Sequence, residues 1–316
     1  MVDAKVIIVG GGPAGSTCAW KLRELGVESL ILEKKSFPRY KLCAGWISPK
    51  VFRLLNSSVD EYPHTKVLHK TYHFHYNRYR LPVRTRQYVI RRQEFDQWLL
   101  ERSGADVEKH QVTYIEKTDK GFIIDDKYRC EYLIGAGGTG CPVYNTLFKP
   151  VAPRPNDKHI TTLEEEFEYD YTDTRAHFWY LDNKFGGYAW YTPKAEGVLT
   201  VGIGGFLSSL KRKNENIRYH WNLLTEKLDR LSMVKKREYK PKGWTYYLRS
   251  TDQSYQLDNA YLIGDAAGLA TVDMGEGIRP AVQSAILAAE SIATNRAYVT
   301  TAIGKYSIRD VLFPGA

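Results

Sequence analysis

Apolar positions recur along the chain with two periods, and the changes between them predict its elements. Val6 to Val9 is an unbroken apolar run of strand length. Ala14, Cys18, Leu22 and Leu25 then fall on one helix face, and Gly26 is placed to end that helix. Ser29 to Glu33 predicts a second buried strand. Ser48 before Pro49 marks a helix start for residues 49–55. Residues 71–90 alternate as extended strand, and 92–102 predict a short helix with Phe95, Trp98 and Leu99 inward. A hairpin over 112–125 turns around Asp119, Lys120 and Gly121, and Tyr132 to Gly135 is another buried strand.

The pattern changes after residue 145. Residues 146–160 hold three prolines and few apolar pairs, which predicts a linker. Residues 161–206 alternate and are rich in aromatics, the pattern of an antiparallel sheet. Ile217, Trp221, Leu224, Leu228 and Leu231 define an amphipathic helix. Tyr261 to Asp265 returns to a buried strand. Ile278, Val282, Ala285, Ala289 and Ile292 define a last helix whose alanines permit close packing on a sheet. The predicted fold class is α/β with an α+β second part. A discontinuous Rossmann-like domain on a parallel sheet takes residues 1–62, 88–145 and 252–316. An antiparallel β-sheet substrate domain takes 63–87 and 146–251.

Composition narrows the class. Hydrophobic residues at 43% and charged residues at 26% describe a folded chain rather than a disordered one. No apolar run reaches the roughly 18 residues of a membrane span, and the Val6–Val9 run is too early and short for a secretory signal core. Cys18, Cys43, Cys130 and Cys141 are too widely spaced for a disulfide framework, so a cytoplasmic location is expected. The net charge of +9 is unevenly placed. Residues 64–92 hold eight basic residues and no acid, and 211–242 hold eleven basic and four acidic ones. Solvated faces are the plain reading. The sharper one is a basic face toward an anionic substrate, an acidic partner protein or the inner face of a membrane. No recognised nucleic-acid motif is present, so no nucleic-acid partner is expected.

Two constellations carry chemistry. Gly10, Gly12 and Gly15, with Pro13 and Ala14 between, fit G-x-G-x-x-G between a strand and a helix. Gly10 permits the turn, Gly12 admits a pyrophosphate, and Gly15 lets helix and strand pack. The helix N-terminus offers free N–H groups and its positive end. Glu33, ending the next strand, can accept both hydroxyls of an unphosphorylated ribose, which selects FAD or NAD over NADP. Far downstream, Gly264 and Asp265 follow a strand, and Gly275, Gly277 and Ile278 open the alanine-rich helix. A carboxylate there can bind a polyol chain, and the helix end faces a group that gains negative charge. A flavin satisfies both, so FAD is the expected cofactor.

The glycine turn, Glu33, the Arg92, Phe95, Asp96 segment and the Gly264-Asp265 segment, in that order, resemble flavoproteins of the para-hydroxybenzoate hydroxylase fold. Within that group the chain most resembles the geranylgeranyl reductase family. Lys41 to Lys50 is similar to that family's cysteine-glycine segment, and Gly268 to Ile278 to its second flavin loop. Tyr188 to Lys194 resembles its Y-x-W-x-F-P signature, with Thr192 in place of the Phe. Gly135 to Gly138 stands where many relatives have G-A-D-G. The resemblance implies a non-covalent FAD held also by Lys34, Ala44, Gly45, Arg92 and Val112, with Cys43 facing the flavin. It also implies a catalytic pocket with Tyr188 and Trp190, which share a strand face.

Competing readings stand beside these. Cys43 is also a plain buried loop residue, Tyr188 and Trp190 plain core, and Arg92 a surface charge. Cys18 reads as core. His73 and His75 share a strand face and make half a metal site, but no third ligand is near in sequence, so surface histidines and no metal are expected. The leading expectation is an FAD-dependent oxidoreductase that reduces a carbon–carbon double bond of an apolar or isoprenoid-like substrate, fed by an acidic electron carrier or by NADPH. The alternatives are a monooxygenase or halogenase-like enzyme on an aromatic substrate, and a non-catalytic flavoprotein on a membrane or partner.

Overall fold

The computed structural model describes residues 1–235, 237–250 and 253–313. Lys236 of the second basic stretch and the expected boundary between 251 and 252 lie outside the described residues. Two eight-stranded sheets organise the chain. In the first, parallel strands Ala260–Leu262, Tyr128–Gly135, Val2–Val9, Ser29–Glu33 and Asp106–Lys109 lie side by side. The hairpin Ile115–Thr118 and Gly121–Ile124 joins the outer side of Tyr128–Gly135 antiparallel. The central strand reads as an unbroken apolar run because both its faces are covered. Ile7 and Val9 pack with Leu30, Leu32 and Leu133, whereas Val6 and Ile8 pack with Ala14, Cys18 and Ile31.

Two helices lie on the second of those faces, Pro13–Glu24 and Ile278–Thr294. Their meeting surface is small: Ala14, Ala19, Ala281, Ala285 and Ala288 share one core cluster. Helix axes approach closely where side chains are this short, and both helix N-termini are drawn to the same end of the sheet.

The second sheet runs in the order Lys242–Tyr247, His159–Glu168, Val198–Phe206, Gly187–Pro193, Ala176–Tyr180, Lys66–Tyr76, Tyr79–Ile90 and Trp46–Ile47. It is antiparallel except where Ala176–Tyr180 runs parallel to Lys66–Tyr76. Helix Ile217–Arg230, capped by Asn216, whose side chain accepts the Tyr219 N–H at 3.0 Å, covers one face. Its Trp221, Leu224 and Leu228 pack on Tyr191, Leu199 and Val201, and each fully buried leucine is worth about 1.5–3 kcal/mol. The opposite face carries Tyr72, Phe178 and Trp190 toward the first sheet.

Several expectations need correction. The extended run 71–90 is two strands that turn at Asn77, which takes a positive φ of 51°. The strand expected through Asp265 ends at Leu262, and Gly264–Ala266 forms a short 3-10 turn. The expected linker is tied down. Arg154 is buried, its N–H donates to Tyr144 Oη at 2.9 Å, and its guanidinium lies 3.5 Å from the Tyr144 ring centroid. His73 and His75 are not surface histidines. The parallel pairing sets His177 beside them: His73 is buried and stacks on His177, and His75 Nε2 lies 2.9 Å from His177 Nδ1. Among the described residues no group of His, Cys, Asp and Glu is arranged to hold a metal ion.

Candidate functional site

A cavity of about 800 Å³ lies between the two sheets, with the glycine turn at one end and Tyr188 and Trp190 at the other. At the first end the backbone is the binding surface. Gly10 has φ of 111°, and a Cβ there would sit 2.6 Å from Ala136 O. Gly12 caps helix Pro13–Glu24, and Pro13 and Ala14 line the wall behind it. Glu33 is buried. One carboxylate oxygen accepts the Gly11 N–H at 2.8 Å and the other the Lys35 N–H at 2.9 Å. Each oxygen keeps lone-pair capacity for a hydroxyl. Lys34, Val112, Ala44 and Gly45 also line the cavity.

Gly15 and Gly264, taken from sequence as cofactor contacts, do not line it. They carry packing instead. A Cβ on Gly15 would sit 1.9 Å from Gly10 O, and one on Gly264 would sit 2.9 Å from Ala14 Cβ. Both glycines keep the two helices pressed to the sheet, one layer behind the wall.

Further along, Asp265, Gly275, Gly277 and Ile278 reach the cavity from the second nucleotide segment. Gly277 caps the Ile278–Thr294 helix, so that helix aims its positive end inward. Gly275 takes φ of +64°, and a Cβ there would lie 2.3 Å from Tyr246 Oη. Arg92 is not a surface charge. It is buried and grips Asp96 with two bonds of 2.7 and 2.9 Å. Burial works against its charge, yet Asp96 and Cys43 together outweigh burial and hold the guanidinium above its ordinary value. Arg39, missed in sequence, joins Asp96 at 3.4 Å and lines the same wall.

Cys43 lies between the ends, where its Sγ accepts the Gly45 N–H at 3.3 Å. At the aromatic end the Tyr188 and Trp190 ring centroids are 5.6 Å apart, and Trp46 packs edge-on to Trp190 at 6.1 Å. Tyr188 Oη donates to Met274 O at 2.5 Å, which ties the second sheet to the segment that opens the Ile278–Thr294 helix. Thr192 does not line the cavity. Buried beneath it, its Oγ1 accepts the Trp46 indole N–H at 3.2 Å and fixes that ring. At Gly137 a Cβ would meet Cys141 Cα at 3.2 Å.

Sequence reasoning missed a polar group on the floor of this end. Strand His159–Glu168 presents Thr162 and Glu164 to the cavity. Glu166, next on that face, is paired with the buried Lys194. Burial pushes the Glu164 carboxyl up to about 7, and burial pushes the Lys41 ammonium, also on the wall, down to about 8. Only the alternation of Glu164 to Glu166 inside an aromatic sheet hinted that two of the three point inward.

The residues fit FAD. The glycine cradle is one a Cβ would fill, Glu33 suits a ribose, and Arg39 and Arg92 supply positive charge near a helix N-terminus. The fold and site thus define a flavoprotein that binds FAD through a Rossmann-type turn. Comparison with known proteins agrees. The family described as FAD binding domain matches residues 3–297. An uncharacterized protein of Methanosarcina barkeri is 30% identical over 92% of this chain and 74% of its own length. Digeranylgeranylglycerophospholipid reductase 1 of Methanopyrus kandleri is 30% identical over 64% of this chain and 58% of its own length. Geranylgeranyl diphosphate reductase of Rhodobacter capsulatus is 26% identical over 90% and 73%. The solved geranylgeranyl bacteriochlorophyll reductase-like protein of Thermoplasma acidophilum shares the fold with a TM-score of 0.80 at 22% identity, over 93% of this chain and 80% of that one. A flavin-dependent halogenase shares it at 0.69 and 22%, over 93% and 58%. The chain belongs to the FAD-binding domain family and is an FAD-dependent oxidoreductase similar to the named reductases.

Among the described residues no helix is long and apolar enough to cross a membrane.

Proposed function

We propose that this oxidoreductase reduces a carbon–carbon double bond in an apolar, isoprenoid-like substrate, with FAD held non-covalently. The observation that carries this reading is the aromatic chamber of Trp46, Tyr188 and Trp190, backed by Phe178, which is continuous with the nucleotide-binding turn in one cavity. The names of the curated reductase relatives support the substrate class. Reduced FAD supplies a hydride when bound. The chain's own part is positional. Tyr188 and Trp190 wall off water, Thr192 holds Trp46 in place, and Cys43 sets the loop between the chamber and the cofactor end. The test is product analysis of the FAD-loaded protein with a reductant and geranylgeranyl diphosphate. A product heavier by two hydrogens supports the reading; one heavier by an oxygen or a halogen returns the monooxygenase or halogenase alternative; no product with any reductant leaves a non-catalytic flavoprotein.

The reductant in this reading is a small acidic carrier protein. Its support is the charge pattern, since strand Tyr79–Ile90 and its turn leave Arg78, Arg80, Arg84 and Arg86 exposed without an acid among them. Such a face steers an acidic partner at a rate that falls with salt. Anaerobic stopped-flow checks this: slow flavin reduction by NADPH alone is expected, and NADPH reduction at the carrier's rate would refute it. The same hairpin exposes Tyr76, Tyr79 and Leu81 among those arginines, a surface suited to an anionic membrane. Binding to anionic vesicles that weakens with salt is expected, and equal binding to neutral vesicles would sink the membrane contact.

A further inference from the structure

Two buried polar atoms on the cavity wall have no hydrogen-bond partner among the described residues: Glu164 Oε1 and Trp190 Nε1. Strand register brings them together. Gly202 of the Val198–Phe206 strand pairs with Glu164 on one side and Trp190 on the other. A Cβ at Gly202 would sit 2.2 Å from two indole carbons of Trp190 and 2.6 Å from its Nε1. The indole therefore lies across Gly202, beside the strand that carries Glu164. Glu164 is 3% exposed. A buried carboxyl oxygen without a partner is costly unless it holds a proton or meets a ligand.

We propose that Glu164 is the proton donor for double-bond reduction, its Oε1 facing the substrate carbon opposite the one that receives hydride. This rests on the reductase reading above. The groups around it explain why it is free to act. Glu166 on the same strand takes Lys194 as its own partner. The Cys43 N–H reaches Glu164 from the loop, Lys41 and Tyr40 stand on the same loop, and Lys242 and Tyr246 come from the neighbouring strand. Burial raises the Glu164 carboxyl, the Lys194 charge opposes that, and Glu166 adds to it, so the group sits near 7 and holds or releases a proton at neutral pH. A donor poised there matches the needs of general acid catalysis. In the reaction one carbon of the double bond receives the hydride of the reduced flavin. The π bond breaks, and the other carbon takes the Oε1 proton. The substrate gains two electrons and the flavin loses two. The Glu164 carboxylate then regains its proton from water.

Glu164→Gln tests this, because the amide keeps an acceptor for the Cys43 N–H but has no acidic proton. The FAD-loaded wild type, Glu164→Gln, Glu164→Asp and Glu276→Gln are first compared by infrared spectroscopy between pH 5 and pH 9. The wild type should show protonated-carboxyl absorption from Glu164 and from Glu276, both raised to about 7 by burial, and Glu164→Gln should lose the Glu164 part of it while Glu276→Gln loses the other; absorption unchanged in Glu164→Gln overturns the proposal. Single turnovers of the chemically reduced proteins with geranylgeranyl diphosphate follow. Glu164→Gln should slow hydrogenation by about 100-fold or more with substrate affinity unchanged. It should also abolish the fall in rate above neutral pH, and Glu164→Asp should recover part of the rate. Hydrogenation at the wild-type rate and pH profile in Glu164→Gln overturns this proposal alone. No hydrogenation by the wild type overturns it together with the reductase reading.

Discussion

At the nucleotide end of the cavity, Gly10, Gly12, Pro13 and Ala14 come from one turn, and Glu33 from the strand next to it. At the aromatic end, Tyr188 and Trp190 share one strand, and the second sheet's register brings them together with Trp46 and Phe178 from two other strands. The first end binds with backbone N–H groups and needs residues that are absent as side chains. The second presents large side chains on a sheet that holds them away from water. A mutation at either end should therefore fail in its own way, cofactor loss at one and turnover loss at the other.

The largest separation should come from Gly202→Val. Its new side chain occupies the space of the Trp190 indole, since even a Cβ would lie 2.2 Å from that ring. Turnover should drop on the order of 100-fold through misplacement of the chamber wall, while FAD affinity stays within error. Flavin titration and single-turnover rates check both halves, and parallel loss of FAD would break the comparison. Glu33→Ala should do the reverse. FAD should bind more weakly by about 1.5–3 kcal/mol, the worth of charge-assisted hydrogen bonds, with substrate affinity of the fully loaded protein unchanged. An unaltered dissociation constant would remove Glu33 from the ribose.

Acid should weaken the substrate sheet first. Burial, with Arg80 adding to it, pushes His75 down to about 4, and burial pushes His177 down to the same value against the pull of Asp173. Both lie below the ordinary 6.5, so the unfolded chain takes up protons first. Stability is full above that value and is lost as pH falls through 6.5 toward 4. His177→Gln should flatten this part of the profile, with a difference on the order of 2–4 °C in Tm at pH 5. Identical profiles from pH 7 to 5 would show that the histidine ladder is not the acid-sensitive element.

The same contrast explains what was legible in sequence. Gly10, Gly12, Glu33 and the Gly275 to Ile278 segment were readable because dinucleotide binding uses local spacing. Tyr188 and Trp190 were readable because two residues apart on a strand share a face. His73 and His75 were misread, since the partner His177 lies a hundred positions away and reaches them only through the parallel pairing. Glu164 was invisible for the same reason, as its burial depends on Gly202 and on the loop that carries Cys43. Gly15 and Gly264 stand one layer behind the cavity wall. The packing role read for Gly15 holds for Gly264 as well, and neither lines the cavity.

The most direct test of the account is an anaerobic single turnover. The FAD-loaded protein is reduced chemically, freed of excess reductant, and mixed with geranylgeranyl diphosphate in the absence of oxygen while flavin absorbance is followed. The account predicts that the double bond alone reoxidises the flavin, with one hydrogenated bond formed per flavin. Flavin that stays reduced until oxygen is admitted, and then yields an oxygenated product, would contradict it.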